Sequence, residues 1–473
     1  MSASRKGTSD VAERMVVNVS ARHSHRYGHG CFALQRDART LFREALDRCS
    51  VDRALAAKLH VGRQDAITLD HAELCVDGVE RVLIVAMGKG AAAMLQAVLA
   101  RRDVVGGREV TGILVAPERP SSLPEGIRFI PGAHPVANED SRHAAQAILQ
   151  QLRDEPASET TLCLFLISGG ASSMVEVPLD SAIGIDDTAA FHRALVHSGA
   201  PIVQMNALRK HFSAVKGGRL ALAAQHLRQL TLLMSDVPSS HLDALASGPT
   251  LPDTSTVADC HRILRDFDLL AQFPPSVRWF FERGDLPETP KPGVLPSRAL
   301  LLLSQADLAQ AAAEAARGSG YSAVIDNKPD DQPAGDAAEY LLERFRTLRS
   351  TQERVCLIST GEVTVRVPPE SQGRVHEAAL GGRNQHFVLE CAVRFQHDDS
   401  FAVLSCGSDG VDGNNTAAGA VITAEDFQRE EAQRRARGAL ACFDSGTLLR
   451  RMGCAVETGP TGLNLRDLRI LIG

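Results

Sequence analysis

Residues 81–101 read RVLIVAM-GKG-AAAMLQAVLAR, and the order of those three blocks decides the fold. After Arg81 the first block is unbroken apolar sequence, the pattern of a strand buried on both faces, as in a parallel sheet. Gly88-Lys89-Gly90 ends the run, and residues 91–101 predict a helix from their alanines, leucines and methionine. A strand, a glycine turn and a helix start a βαβ unit. The turn lets a ligand approach the backbone, and the helix offers it free N–H groups.

Outward from this block the same alternation repeats. Residues 111–116 (TGILVA), 161–167 (TLCLFLI), 229–234 (QLTLLM) and 299–303 (ALLLL) read as further strands, with helices at 39–58 and 141–152. Alternating strands and helices predict a Rossmann-like, doubly wound α/β domain with a parallel sheet. Residues 273–298 hold six prolines and read as a surface connection. Beyond a helix at 337–348, strands at 355–359, 364–367 and 401–405 and a helix at 385–395 predict a second, smaller α/β domain. The expected organisation is a disordered polar tail at 1–36, a Rossmann-like domain at 37–300, a helical connection at 301–354 and a C-terminal domain at 355–473.

Composition excludes several functions. A net charge of −6 gives no basic footprint for nucleic acid, and 4% aromatic residues supply little base-stacking surface. No apolar run approaches the roughly 20 residues that span a bilayer. Ten cysteines include no C-x-x-C pair and no zinc spacing, so reduced buried thiols and a cytoplasmic location are expected. Three histidines at 23, 25 and 29 fall in the tail and carry no functional weight.

In open parallel sheets ligands bind beyond the carboxyl ends of the strands, so chemistry is sought in the loops there. Gly88-Lys89-Gly90 places a cation inside a phosphate-friendly turn, which suits a transferring phosphoryl group. Ser168-Gly169-Gly170-Ala171-Ser172 offers small residues and hydroxyls as an anion nest. Between Asn206 and Arg219, cations including Lys210 and Lys216 predict a local positive field. Asp236, at a strand end, is a candidate Mg²⁺ ligand. Gly382-Arg383-Asn384 precedes a helix and offers a forked donor for phosphate or carboxylate. Asp409 and Asp412, three apart in a glycine loop, read as a second metal-like site, of which Asp409 is the candidate ligand. There is no Walker A sequence and no G-x-S-x-G elbow.

Taken in order, the blocks MGKGAAAM, GAHPVANED, LISGGASS, NALRKHFSAVKGGRLA, SDV, ASGPTLPD, GGRNQ, GSDGVDG with TAAGA, and TGPTGLN resemble the class II glycerate kinases. That family pairs an N-terminal Rossmann-like domain with a C-terminal domain called MOFRL, and the likeness runs from about residue 37 to 473. The resemblance implies transfer of the γ-phosphate of ATP, with Mg²⁺, to D-glycerate in a cleft between the domains. It implies Lys89 and Arg383 as the catalytic cations. Nucleotide or phosphate would be bound around Gly88, Gly90, Ser168, Gly169, Gly170, Ser172, Asn206, Lys210, Lys216, Gly382 and Asn384. It leaves 2- or 3-phosphoglycerate as product, the former expected, from a monomer or homodimer.

The sequence departs from the family pattern at Ala171, at Ser239-Ser240 in place of Gly-Asp, at Thr360-Gly361-Glu362 in place of Gly-Gly-Glu, and at Phe443 in place of Asn. Two other readings therefore stand beside the kinase. The spacing G-x-G-x-x-A with Glu118 also fits an NAD(P)-dependent reductase of hydroxypyruvate or a similar hydroxy-acid. A catalytically impaired family member serving as a binding protein is the third.

Overall fold

The computed structural model describes residues 29–61, 66–69, 72–75, 77–237, 239–296, 298–367 and 379–473. The predicted tail up to residue 28, with His23 and His25, lies outside the described residues, as do the side chains of His29, Ser239 and Ser240. Helix α1 (His29–Arg48) starts ahead of the predicted 39–58 helix and inside the stretch read as tail. It stops where Ser50 turns extended and caps a separate helix, Val51–Lys58. Leu41, Phe42, Ala45 and Cys49 are buried as their spacing predicts.

The first large sheet has strands β1 (Arg81–Met87), β2 (Glu109–Ala116), β3 (Ile127–Pro131), β4 (Ser158–Ser168), β5 (Leu227–Met234) and β6 (Arg298–Leu303). Its order is 3-2-1-4-5-6 and every pairing is parallel. That order puts the switch point between β1 and β4, where the Gly88 and Ser168 turns end neighbouring strands. The sheet is covered on both faces. On one, Ile84, Leu164 and Leu232 pack with α1 and with α2 (Ala91–Ala100). On the other, Leu83, Phe165 and Ile167 meet Ile148 and Leu220.

A helical lobe grows from this sheet: α3 (Ile185–His197), α4 (Ile202–Phe212), α5 (Val257–Asp266) and α6 (Pro275–Glu282). Helix α6 corrects the surface connection expected at 273–298. Its prolines stand at the helix start, where a missing N–H costs nothing, and Phe273, Phe280 and Phe281 are buried among Phe191 and Phe212.

After helix α7 (Gln305–Gly318) a second sheet is built from β7 (Ser322–Ile325), β8 (Val355–Gly361), β9 (Ala402–Gly407), β10 (Gly419–Thr423), β11 (Ala455–Val456) and β12 (Asp467–Ile472), in the order 7-8-12-9-10-11. Three features differ from the expectation. Strand β7 lies inside the stretch read as helical connection and pairs parallel with β8. The central strand is β12, antiparallel to both β8 and β9, so this sheet is mixed. The strand expected at 364–367 is reduced to one bridge, Pro333 to Thr364. Helix α8 (Arg383–Ala392) packs on this sheet.

The two sheets share one apolar core. Ile84 and Leu166 of the first sheet and Ile358 and Ile470 of the second belong to the same cluster, joined through Phe42 of α1 and Ala312 of α7. Cys163, Cys356 and Cys406 are buried free thiols, and burial raises the pKa of each. Among the described residues, no helix is long and apolar enough to cross a membrane.

Candidate active site

The ends of β1, β4 and β5 are drawn together by glycines. Gly88 adopts φ +117°, and a Cβ there would fall 2.4 Å from Ser168 Oγ. Ser168 is buried and accepts a hydrogen bond from Gly90 N at 2.9 Å, while Lys89 N donates to Gly169 O at 2.9 Å. At Gly169 a Cβ would fall 1.8 Å from Asp236 Oδ2 and 2.0 Å from Asn464 Nδ2. Three strand ends, and a loop from the far end of the chain, thus meet at one point.

The C-terminal domain closes the site from its own side. Asn464 donates to Asp236 Oδ2 at 3.0 Å, and Lys89 Nζ lies 3.7 Å from Asp409 Oδ2. Both contacts cross the domain junction. Arg383, at the start of α8, is held by Asp467, with Nε to Oδ2 at 2.6 Å and Nη2 to Oδ1 at 3.1 Å. Nη2 also donates to Glu362 Oε1 at 2.8 Å. Glu362 in turn lies 3.9 Å from Arg466, which is anchored on Asp330 and Asp331. Gly407 ties the two cations to one cleft: a Cβ there would lie 3.0 Å from Asp409, partner of Lys89, and 3.6 Å from Asp467, partner of Arg383.

The electrostatics follow from this packing. Burial raises the pKa of Asp236, which among the described residues has a single side-chain donor and no cation in salt-bridge contact. Burial also raises Glu362, Asp467 adding to the effect and Arg383 opposing it. Burial works against the charge of Arg383, but Asp467 and Glu362 outweigh it and hold its pKa above the ordinary arginine value. Among the described residues no group of three or more His, Cys, Asp or Glu is arranged to hold a metal. A Mg²⁺ that arrives with nucleotide phosphates needs only one or two carboxylates, and the part-buried Asp236 and Asp409 suit that smaller set.

Other candidates are placed elsewhere. Lys210 is buried with Nζ at 2.7 Å from Asp243 and 3.1 Å from Asp253. Lys216 is buried against Glu176, which also takes His192 Nε2 at 3.0 Å. Asn206 accepts from Arg209. The expected positive field of the 206–219 segment is therefore largely spent in ion pairs under the helical lobe. Asn384 is buried, donating to Asp412 at 3.3 Å and accepting from Ser405 at 2.6 Å. Asp412 accepts from the backbone N–H groups of Asn384 and Gln385 at 3.0 and 2.8 Å. Those are the free donors of α8, so Asp412 caps that helix in place of a ligand, and burial pushes its pKa up to about 6. Ser172 hydrogen-bonds Ser247 at 3.1 Å.

The structure also brings in residues that had no expected role. His134 lies beside Gly170 and Lys89: a Cβ on Gly170 would be 3.1 Å from His134 Cδ2 and 3.2 Å from Lys89 Cγ. Asn464, Arg466 and Asp467 arrive with the unforeseen strand β12 and its approach loop. The only sequence signals were the GAHPVANED and TGPTGLN blocks, which mark positions without a chemistry.

Fold and site define a two-domain α/β enzyme whose cleft is lined jointly by the turns of a parallel sheet and by loops of a second sheet. The chain belongs to the class II glycerate kinase family: residues 37–282 match a domain of unknown function, DUF4147, and residues 355–467 match the MOFRL family. It is 30% identical to a D-glycerate 2-kinase of Thermotoga maritima over 83% of this chain and 90% of that protein. It is 31% identical to a glycerate 2-kinase of Pyrococcus horikoshii, covering 91% and 95%. An Agrobacterium vitis protein provisionally named hydroxypyruvate reductase is 35% identical, covering 83% and 87%. The crystal structure of a Thermotoga maritima glycerate kinase superposes with a TM-score of 0.77 at 28% identity, covering 93% of this chain and 99% of that one.

Proposed function

We propose that this protein transfers the γ-phosphate of ATP to a hydroxyl of D-glycerate in the cleft between residues 37–300 and 355–473. The 2-hydroxyl is the acceptor we favour, in line with the 2-kinase names of the Thermotoga and Pyrococcus relatives. The observation that carries the reading is the pair of cations from opposite domains, Lys89 and Arg383, set around Gly407 by Asp409 and Asp467.

Phosphoryl transfer asks for positioning and charge stabilisation more than for covalent help. Backbone N–H groups of the Ser168 turn would hold phosphate oxygens, because those of Gly88, Lys89 and Gly90 are already donated to Val115 O, Gly169 O and Ser168 Oγ. Lys89 would lie along the transferring group, and Arg383 would face it from the second domain. Mg²⁺ bound with the nucleotide supplies neutralising charge, and Asp236 and Asp409 are the side chains that would hold it. The shared core favours a cleft already assembled before substrate arrives. The free thiols suit a reducing compartment such as the cytoplasm.

The reductase reading rests on the name of the Agrobacterium relative and on a glycine spacing. A single assay separates the two. Glycerate-dependent ADP release with Mg·ATP is expected, with phosphorus NMR identifying the phosphorylated carbon. NAD(P)H oxidation with hydroxypyruvate and no ADP would replace the kinase by the reductase.

A further inference from the structure

We propose that His134 is the catalytic base, taking the proton of the glycerate hydroxyl as its oxygen attacks the γ-phosphorus. The inference rests on the kinase reading above and adds the one group that reading leaves unassigned. In this step the O–H bond of the acceptor breaks and its oxygen bonds to phosphorus. The proton passes to the unprotonated ring nitrogen of His134. The bond from the γ-phosphorus to its bridging oxygen breaks, and the electron pair leaves with ADP.

The geometry argues by what the other groups are already doing. A base must reach the acceptor hydroxyl and have a free lone pair. Asp409 is paired with Lys89 and also accepts from Val411 N at 3.1 Å. Asp236 accepts from Asn464, and both it and Asp409 suit the metal. Glu362 and Asp467 are bound to Arg383. His134 has no such tie: no described residue hydrogen-bonds its ring, although it is solvent-accessible and flanks Gly170 together with the Lys89 stem. It thus stands next to the cation expected on the transferring phosphate, open to whatever occupies the cleft.

The charges around it point the same way. Lys89, on the β1 turn, and Asp409, on the β9 loop, are the charged groups that act on it. Partial desolvation and then Lys89 lower its pKa below the ordinary histidine value, with Asp409 opposing. The ring is therefore neutral at physiological pH and able to accept a proton.

The test compares wild type with His134→Gln in glycerate-dependent ADP release from about pH 5 to about 9, a range that spans the titration of histidine. Removing a general base is expected to lower kcat by about 10²–10⁴-fold with little change in the KM for glycerate. The fall of wild-type activity on the acid side should vanish in the variant, and added imidazole should restore part of the rate of His134→Ala. His134→Asn serves if the Gln variant does not melt like wild type. An unchanged kcat with an unchanged pH profile overturns the assignment. So does a raised KM at constant kcat, which would make His134 a binding group. If wild type itself releases no ADP with glycerate, it is the kinase reading that fails.

Discussion

Arg383 and Asp467 face each other fork to fork, with two hydrogen bonds at 2.6 and 3.1 Å across the start of α8 and the start of β12. Asp467 is buried, whereas Arg383 is half-exposed toward the cleft. The pair fixes the plane of the guanidinium, since two parallel bonds allow little rotation. Asp467→Asn should keep the charge of Arg383 but lose that alignment. A misplacement on the order of 1 Å can cost about 10²-fold in rate, so a kcat loss of tenfold or more is expected with the fold intact. Arg383→Lys should be as costly, because an ammonium cannot occupy the fork. Steady-state kinetics with melting curves check both, and full activity in either variant would make the pair structural.

Lys89 makes a different demand. It sits in a glycine turn and, among the described residues, has only a loose ion pair to Asp409 at 3.7 Å, a contact that a phosphate can replace. If it acts on charge that develops during transfer, Lys89→Ala should lower kcat by about 10²–10³-fold and change the KM for glycerate little. A change confined to KM would assign it to ground-state binding.

How much of this was legible beforehand depended on whether a side chain's partner lay close in sequence. The RVLIVAM run, the glycine turn and the alternation after it were enough for the parallel sheet, because burial on both faces writes itself as continuous apolar sequence. Strand β12 (DLRILI) was invisible for the opposite reason. Two of its six residues are charged, and both are spoken for in three dimensions, Asp467 by Arg383 and Arg469 by Thr360 O. Lys210 and Lys216 misled in the same way. A lysine reads as solvated or ligand-binding until its buried carboxylate, 43 residues away for Lys210 and 40 for Lys216, is seen. His134 carried a position in the GAHPVANED block but no chemistry, since nothing local shows that its loop folds over Gly170.

The Lys216–Glu176 pair gives a prediction about stability. Both side chains are buried, and Glu176 Oε1 has no hydrogen-bond partner among the described residues. Burial favours the neutral acid, but Lys216 and His192 outweigh it and bring Glu176 down to about 2. A carboxyl whose folded pKa is depressed stabilises the fold above its unfolded pKa, near 4.3, and loses that contribution as pH falls toward about 2. Lys216→Met removes the compensating charge, so Glu176 should protonate at higher pH and acid unfolding should begin earlier. Breaking a buried pair costs about 3–5 kcal/mol, readable in urea melts at neutral pH. If the variant instead melts like wild type and loses ATP affinity, Lys216 is a phosphate ligand after all.

Gly169 tests whether the domain junction and the cleft are one construction. A methyl there would overlap Asp236 and Asn464, the acid of the first domain and its C-terminal partner, at 1.8 and 2.0 Å. Neither atom belongs to a long flexible chain with room to retreat, so Gly169→Ala must push the 464 loop off the strand ends. Overpacking of this kind costs about 1–3 kcal/mol. The distinguishing expectation is functional. Displacing Asn464 also frees Asp236 and disturbs the approach of Asp409 to Lys89, so kcat should fall well beyond what the melt shift explains. Gly184→Ala is the control, since that glycine has an ordinary φ of −75° and nothing within 4 Å of an added Cβ. It should shift stability by no more than about 1 kcal/mol and leave kcat unchanged. Equal activity in the two variants would mean that the cross-domain contact at Asp236 is not needed for transfer.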